Sequence, residues 1–441
     1  MKNSFIFLIF FFVIANCSSK KNELLVDIES FKKQGVEINT SIKKDLQKEI
    51  KIISRFSNYQ SFDLKDWMHE NFQNSNFIPH TRYPGSLNVK KTTKFFSSIK
   101  KNDYDKNILS FEDKLYYVDD VSNIYSIDLN LNFIKKFTIY KKKYFQDYLL
   151  KFSIASDGIN LFIADNLGNL HAYNPKLNKI IWTNKLGVPF VSNLIFYKKN
   201  LYIVNDNGKI YSFDSNTGNQ NWSYESATNI IKNNNAFQVV ADLDKLIFSN
   251  DLGDIYCIDL IEKNLIWSIN TEASDNNLSN SNELLQYSKI IIKDKDVFLS
   301  TNKNKLFNVK ADTGLINWVI DLPSPSTITS LVTNTNLINV TNDGYILIIN
   351  KVDGVILYKI KILSYFKNLI KDEKEFIFKY SFISSNNLYV VSKNGFIFTI
   401  NTNNLSNISY KKISKNIASF PIVVSNNVYF LDYKGMIYRL N

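Results

Sequence analysis

The chain has 441 residues, of which 45% are hydrophobic and 14% aromatic, enough to build a large core and to exclude a globally disordered protein. A formal net charge of +12 is compatible with a nucleic-acid or anionic-membrane partner. Because the Lys residues are scattered over surface-type positions and no Arg-rich patch or nucleic-acid motif occurs, we interpret the charge as a solvated basic surface and expect no nucleic-acid partner.

The N-terminus has the pattern of an export signal. Lys2 supplies a positive charge before an apolar segment that runs from Phe5 to Ala15. This segment is too short for a transmembrane helix, which needs about 20 apolar residues. The sequence therefore predicts a cleaved signal peptide over residues 1–16.

A short motif at the expected cleavage site resembles a bacterial lipobox, and it reads Val13-Ile14-Ala15-Asn16-Cys17-Ser18-Ser19. In such a motif the cysteine is lipidated, with palmitate among the acyl chains, and becomes the mature N-terminus. Asn16 stands where Gly, Ala or Ser is usual, and an ordinary signal peptide with an incidental cysteine is the alternative. Several acyl chains on Cys17 would hold the protein on a membrane far better than one, and Ser18 implies sorting to the outer membrane.

Residues 17–91 are predicted to form a lipidated tether and an N-terminal extension. The first part, to about residue 60, is rich in Lys, Glu, Asn and Ser, and its helical-looking stretch from Ser41 to Ile53 has no sustained apolar face. The part that follows has no assignable pattern, although it contains Asp63, Trp67, His69, His80 and Pro84.

From about residue 92 onward the sequence repeats itself at steps of 40 to 51 residues. In each unit a strand leads to a polar turn and an anchor Gly, followed by a second strand, a second turn and a Trp fourteen residues after the Gly. The clearest copy has its anchor at Gly208 and its Trp at Trp222. Four further copies pair Gly168 with Trp182, Gly253 with Trp267, Asn304 with Trp318, and Gly344 with Tyr358, and weaker ones are centred on Ser122, Gly395 and Gly435.

The repeat predicts an all-β fold, an eight-bladed β-propeller of four-stranded antiparallel blades over residues 92–441. The anchor Gly suits the positive φ of a tight hairpin turn. Asp128, Asp214 and Asp259 recur with the repeat, which marks them as turn formers. The large aromatics on the outer strands are predicted to pack between blades.

The last copy ends too soon to complete its own blade. Asn441 comes only six residues after Gly435, so the outer strand is missing and an edge would stay unpaired. Phe96 precedes Ser122 by 26 residues, the same interval that separates Trp182 from Gly208. We therefore predict that residues 92–99 pair into the last blade and close the ring, with Phe96 in place of Trp.

The Gly-x-Ile-Tyr-x-x-Asp, Thr-Gly and Trp elements of the repeat resemble the PQQ-type propeller repeat. Eight such repeats behind a lipobox resemble the BamB family. The resemblance implies a non-enzymatic periplasmic scaffold lipoprotein, anchored in the outer membrane and monomeric within the outer-membrane β-barrel assembly (BAM) complex. It also implies docking on the POTRA domains of a BamA-like barrel protein, to aid the assembly and insertion of barrel proteins, and no cofactor.

The resemblance also points to partner-binding residues. Ile231 and Lys232 fall where members of this family can carry a Leu-Arg pair that contacts the partner. The connection from Thr271 to Ser288 lies where the family has a partner-binding loop, and Glu283 is an acidic residue within it.

Two other functions use the same fold. A quinoprotein dehydrogenase needs a vicinal disulfide, a calcium site and an Asp base. This chain has only two cysteines, and Cys257 is expected to be buried in a strand and inert. The three histidines are not spaced as metal ligands, and His171 occupies a strand position where sister blades have Tyr or Phe, so we predict no metal site and no catalytic residues. A propeller that binds glycan through its central channel is the other alternative.

Overall fold

In the computed structural model, the residues described are 48–57, 60–95, 106–141, 149–229, 233–272, 284–366 and 376–441. They form seven four-stranded antiparallel sheets and one sheet with a fifth strand. Each sheet is one blade of a β-propeller, so the predicted all-β, eight-bladed fold is confirmed.

The first four blades follow one another along the chain. Blade 1 consists of β3 (Ile108–Phe111), β4 (Lys114–Val118), β5 (Asn123–Asp128) and β6 (Phe133–Thr138). Blade 2 consists of β7 (Phe152–Ser156), β8 (Leu161–Asp165), β9 (Asn169–Asn174) and β10 (Lys179–Lys185). Blade 3 consists of β11 (Ile195–Tyr197), β12 (Asn200–Val204), β13 (Lys209–Asp214) and β14 (Gln220–Glu225). Blade 4 consists of β15 (Val239–Asp242), β16 (Lys245–Ser249), β17 (Asp254–Asp259) and β18 (Leu265–Asn270).

The remaining blades use the rest of the chain and two N-terminal strands, β1 (Ile50–Lys51) and β2 (Val89–Lys94). Blade 5 consists of β19 (Ile291–Lys293), β20 (Asp296–Ser300), β21 (Lys305–Lys310) and β22 (Ile316–Asp321). Blade 6 consists of β23 (Leu331–Val332), β24 (Asn336–Val340), β25 (Tyr345–Asn350), β26 (Ile356–Lys361) and, outermost, β1. A short 3-10 helix, Ile362–Phe366, follows it. Blade 7 consists of β27 (Phe378–Ser384), β28 (Asn387–Ser392), β29 (Phe396–Asn401) and β30 (Asn404–Lys412). Blade 8 consists of β31 (Ile422–Val424), β32 (Asn427–Leu431), β33 (Met436–Leu440) and β2.

Every blade has the same turn between its second and third strands. All eight anchor residues have positive φ, including the two that are not Gly, Ser122 at 64° and Asn304 at 60°. Three residues before the anchor, a polar side chain accepts backbone N–H bonds that hold the turn, as Asp432 does from Lys434 and Met436. The turn therefore needs a left-handed residue and a short polar side chain at a fixed spacing, which explains why it repeats.

A second turn joins the third and fourth strands, and here the Asp residues act as predicted. Asp214 accepts bonds from the backbone N–H groups of Asn216 and Thr217. Asp259 does the same for the two residues Ile261 and Glu262. The turn-forming role of these Asp residues is confirmed.

Neighbouring blades meet where an outer-strand aromatic ring reaches the second turn of the next blade. Trp182, Trp267 and Trp318 each donate their indole N–H to a backbone oxygen there, at 2.9–3.1 Å. The same rings lie against a turn Gly, so that a Cβ built on Gly218 would stand 2.4 Å from Trp182. Tyr358 makes the equivalent contact in blade 7, where its hydroxyl donates to the carbonyl oxygen of Leu405, near the start of β30, at 3.1 Å.

Trp222 has no glycine partner. The following blade has Lys263 at the equivalent turn position, with φ of 57°, and Trp222 instead packs beside Tyr202 with ring centroids 6.1 Å apart. Blades 7, 8 and 1 have no aromatic at this position. The strand registers place Ser409, Lys91 and Lys135 there.

The ring closes through the N-terminal strand, as predicted, but with different bounds. β2 runs over Val89–Lys94 and pairs antiparallel with β33, so the strand begins three residues before the predicted segment 92–99. Its register sets Lys91 opposite Arg439, the place where other blades carry Trp. A Lys side chain can bond the next turn as an indole does, and Lys91 reaches Asn132 at 2.8 Å. Phe96 lies outside the described residues.

Candidate functional site

Residues 60–88 form a plug over one mouth of the central channel. The segment has no regular secondary structure of its own, yet it bonds to the inner strand, or the turn after it, of one blade after another. Its backbone contacts join Leu64 to Ser425, Trp67 to Ser110, Met68 to Ser156, Asn74 to Ala241, Ser75 to Ile292 and Thr81 to Ile383. The plug thereby touches blades 8, 1, 2, 4, 5 and 7 in ring order before the chain leaves to form β2.

Apolar and aromatic side chains hold the plug in place. Trp67 is fully buried, edge-on to Phe72 at 5.1 Å and stacked on Phe420 of blade 8 at 5.8 Å between ring centroids. His69 is also buried, and its Nε2 lies 3.1 Å from the carbonyl oxygen of Phe196 in blade 3. Burial lowers the pKa of His69 to about 4, because a charged imidazole would lose its hydration. The sequence reading of this region as an unassigned extension missed this packing.

A cavity of about 680 Å³ extends from the plug to the turns between second and third strands. Residues from all eight blades line it, and amide and hydroxyl groups recur among them, as in Asn193, Gln238 and Thr329. Because antiparallel strands alternate in direction, those turns lie on the same face as the connections between blades. The plug lies on the opposite face, where first and second strands join.

Glu70 of the plug ties two distant blades together at the floor of this cavity. One carboxylate oxygen accepts the hydroxyl of Ser153 in blade 2. The other lies 3.2 Å from the ammonium of Lys289, which precedes blade 5. Nothing in the sequence marks Glu70, because its partners are separated from it by 83 and 219 residues.

Four polar residues cluster where blade 1 meets blade 2, beside the cavity. Tyr140 donates its hydroxyl to the carboxylate of Asp165, and its oxygen lies 2.6 Å from Nε2 of His171. Nδ1 of His171 lies 2.8 Å from the hydroxyl of Thr183. Burial lowers the pKa of His171 to about 4 although Asp165 opposes this. A buried, neutral and fully bonded imidazole fits a structural role rather than a general base.

Cys257 lies in β17 and is fully buried. Burial raises the pKa of its thiol far above the usual range, so its reactive thiolate form is suppressed. Its sulfur lies 3.8 Å from the carbonyl oxygen of Ala311 in the next blade.

A calcium ion beside a quinone cofactor would need several oxygen ligands at one place. Within the described ranges, no three His, Cys, Asp or Glu side chains come together as a metal site. Three acids line the cavity, Glu70, Asp165 and Asp206. Glu70 is bonded to Ser153 and Lys289, and Asp165 holds its own turn and Tyr140.

The predicted partner-binding residues Ile231, Lys232 and Glu283 lie outside the described residues, as do Cys17 and the predicted signal peptide. Their flanks are described. Asn233 follows the first segment, Leu285 follows the second, and the side-chain amide of Asn233 donates to the carbonyl oxygen of Leu285. The chain therefore re-enters the described fold after both segments at one place, on the face of the inter-blade connections. Among the residues that the structure describes, no helix is long and apolar enough to cross a membrane.

Comparisons with known proteins agree with this architecture. Residues 150–360 match a family profile described as outer membrane protein assembly factor BamB. The crystal structure of BamB from Moraxella catarrhalis is similar, with a TM-score of 0.63 at 13% identity, covering 81% of this chain and 100% of that chain. No curated protein sequence matches the chain.

Two other solved structures share the fold. A quinohemoprotein alcohol dehydrogenase from Pseudomonas putida has a TM-score of 0.64 at 8% identity, covering 85% of this chain and 80% of its own. The computationally designed Ika8 protein has a TM-score of 0.58 at 8% identity, covering 79% and 99%. Similarity at such identities establishes architecture only. The matched family profile and the eight closed blades together support a BamB-like β-propeller built from PQQ-type repeats.

Proposed function

We propose that the protein is a non-enzymatic periplasmic scaffold of the outer-membrane β-barrel assembly complex, anchored in the outer membrane through Cys17. In this proposal it docks on the POTRA domains of a BamA-like barrel protein and aids the assembly and insertion of barrel proteins. The family profile over residues 150–360 supports the assignment to this complex.

The observation that carries the proposal is a bond between the residues that follow the two predicted contact segments. They are about 50 residues apart in the sequence, yet the bond from Asn233 to Leu285 brings their ends together at the junction of blades 3, 4 and 5. A buried bond between Thr271 and Tyr287, at 2.8 Å, fixes the stem of the longer connection. Binding residues commonly lie on loops that a rigid scaffold positions. Two loops that meet the scaffold at one place can contact the same partner.

The experiment is a pull-down of the tagged, membrane-extracted protein, followed by mass spectrometry of its partners and of its N-terminus. We expect a POTRA-containing barrel protein and a lipidated Cys17. The double variant I231A/K232E should lower recovery of the barrel protein at least about tenfold if the pair is a binding hot spot.

A matched control carries the same chemistry on the other face. I261A/K263E changes one apolar and one basic residue in an exposed turn of blade 4, and recovery should match that of the wild type. Equal recovery of the barrel protein by all three proteins would reject the contact pair. Recovery of the chain alone, with quinone absorbance or a bound sugar, would reject the scaffold and favour an enzyme or a glycan-binding propeller.

A further inference from the structure

The outer strands of the propeller are unequal in charge. Those of blades 7, 8 and 1, namely β30, β2 and β6, carry seven Lys residues and no Asp or Glu. Those of blades 3, 4 and 5 carry no Lys and two acids, Glu225 and Asp321. Blades 7, 8 and 1 are neighbours in the ring, because β2 closes blade 8 between the other two. The flanking blades carry two Lys each on their outer strands, Lys179 and Lys185 in β10 and Lys359 and Lys361 in β26, but Lys359 is buried. We call the outer strands of blades 7, 8 and 1 the basic arc.

The Lys residues of the basic arc are directed to solvent or to neutral groups. Lys91 and Lys411 bond side-chain amides of Asn132 and Asn88, and Lys412 lies 4.7 Å from the ring centre of Phe396. None of the seven forms an ion pair with a carboxylate of the described residues. Lys91 also interacts through space with the carboxylate of Asp128.

Exposed apolar side chains are interleaved with this charge. Four large ones lie on the basic arc, and they are Val89, Phe133, Ile134 and Tyr410. The other described blade outer strands have one, Ile181. Lys ammonium groups beside aromatic and aliphatic side chains are the combination found at the boundary of lipid headgroups and acyl chains. An acidic protein partner would account for the charge but not for the apolar residues among it.

The shape of the rim permits contact with a flat surface. Four strands at about 4.8 Å spacing around a narrow channel give an outer radius of roughly 20–25 Å. Blades one step of roughly 45° on either side of blade 8 then stand back by only about 7 Å, which is within a Debye length at physiological salt. All three blades can therefore face one plane at once.

From this pattern we propose that the basic arc is a docking surface for an anionic lipid membrane, on which the propeller rests edge-on. The chain enters the described fold on the adjacent blade, since β1 lies on the outer edge of blade 6 and Phe56 then bonds Thr402 of blade 7. This entry point suits the anchor proposed at Cys17, but the charge and apolar pattern does not depend on it.

The test measures binding to lipid vesicles without any other protein, so it can fail independently of the scaffold proposal. The chain from Ser18 onward keeps every described residue and has no acyl chain. It should sediment with vesicles of phosphatidylcholine and phosphatidylglycerol but not with phosphatidylcholine alone, and added salt should weaken the binding. Two charge-reversal variants make the same change of charge, K90E/K94E/K136E/K411E on the basic arc and K179E/K185E/K199E/K263E on blades 2 to 4.

We expect the variant of the basic arc to lose about tenfold or more in vesicle affinity, while the other loses far less, because each Lys near the surface contributes about a factor of five. Circular dichroism and a thermal melt would show that both variants are folded. An equal loss in both would mean a response to net charge alone and would overturn the proposal. The proposal would also be overturned if the wild-type chain did not bind the anionic vesicles but bound an acidic protein through its basic arc.

Discussion

At the scale of single residues, the contact between one blade's Trp and the next blade's turn glycine makes a direct prediction. Gly218 has φ of 73° and no room for a methyl group beside Trp182. Gly218→Ala should therefore lower the free energy of unfolding by about 2–4 kcal/mol, since it adds overpacking to left-handed backbone strain. Urea denaturation of the purified protein measures the change.

Gly187 supplies the control for this substitution. Its φ is 70°, almost the same, but no atom lies within 4 Å of the position that a Cβ would take. Gly187→Ala should cost only the backbone strain, about 1 kcal/mol. If the two substitutions cost the same, the ring contact does not limit the fit between blades 2 and 3.

The two buried histidines predict a loss of stability in mild acid. The pKa of His69 and of His171 is lowered to about 4 by burial, whereas an unfolded imidazole titrates near 6.5. As pH falls from about 6.5 towards 4, the two imidazoles bind protons in the unfolded chain but stay neutral in the folded chain. The free energy of unfolding therefore decreases. The loss should be on the order of 2 kcal/mol for each histidine.

Urea denaturation at several pH values between 7 and 5 checks this, because most carboxylates stay charged in that range. The double variant H69Q/H171Q keeps polar side chains at both places and should show a flatter dependence on pH. An unchanged slope would show that other groups cause the acid sensitivity.

At the scale of elements, the repeated parts of the fold could be predicted from the sequence and the unrepeated part could not. The anchor turns and outer-strand aromatics recur because every blade packs against its neighbours in the same way. Their spacing therefore located every blade and the closing strand. The bounds of β2 were off by three residues because Phe96 suggested a Trp equivalent, whereas the register places Lys91 there. A Lys that bonds the next turn leaves no hydrophobic signal.

The plug shows why the remainder escaped prediction. Its bonds are made largely by backbone N–H and C=O groups to strands 40 or more residues away, and backbone groups leave no pattern in a sequence. Trp67 and His69 are buried by contacts with four different blades rather than by their neighbours in the chain. Neither Glu70 nor the cavity could be predicted from the sequence, because both depend on the plug. The partner-binding loops given by the family resemblance stay a prediction.

At the scale of the whole molecule, the plug and β2 join the two ends of the chain into one closed ring. Bonds from the plug reach six blades through its backbone and blade 3 through His69, and β2 pairs with the last strand of the chain. Opening the ring at any point would expose strand edges and apolar blade faces together. We therefore expect the structure to unfold as one cooperative unit rather than blade by blade, unlike an open solenoid.

The five Trp residues can report whether the plug and the blades unfold together, because Trp67 lies in the plug and the other four lie on blades 2 to 5. In protein labelled with 5-fluorotryptophan, each should give its own fluorine resonance, and all native resonances should disappear with one midpoint in urea. Since Trp67 touches Phe420 of blade 8, its resonance follows the closure of the ring as well as the plug. Loss of the Trp67 resonance at lower urea than the others would mean that the plug opens first and that the blades remain stable without it.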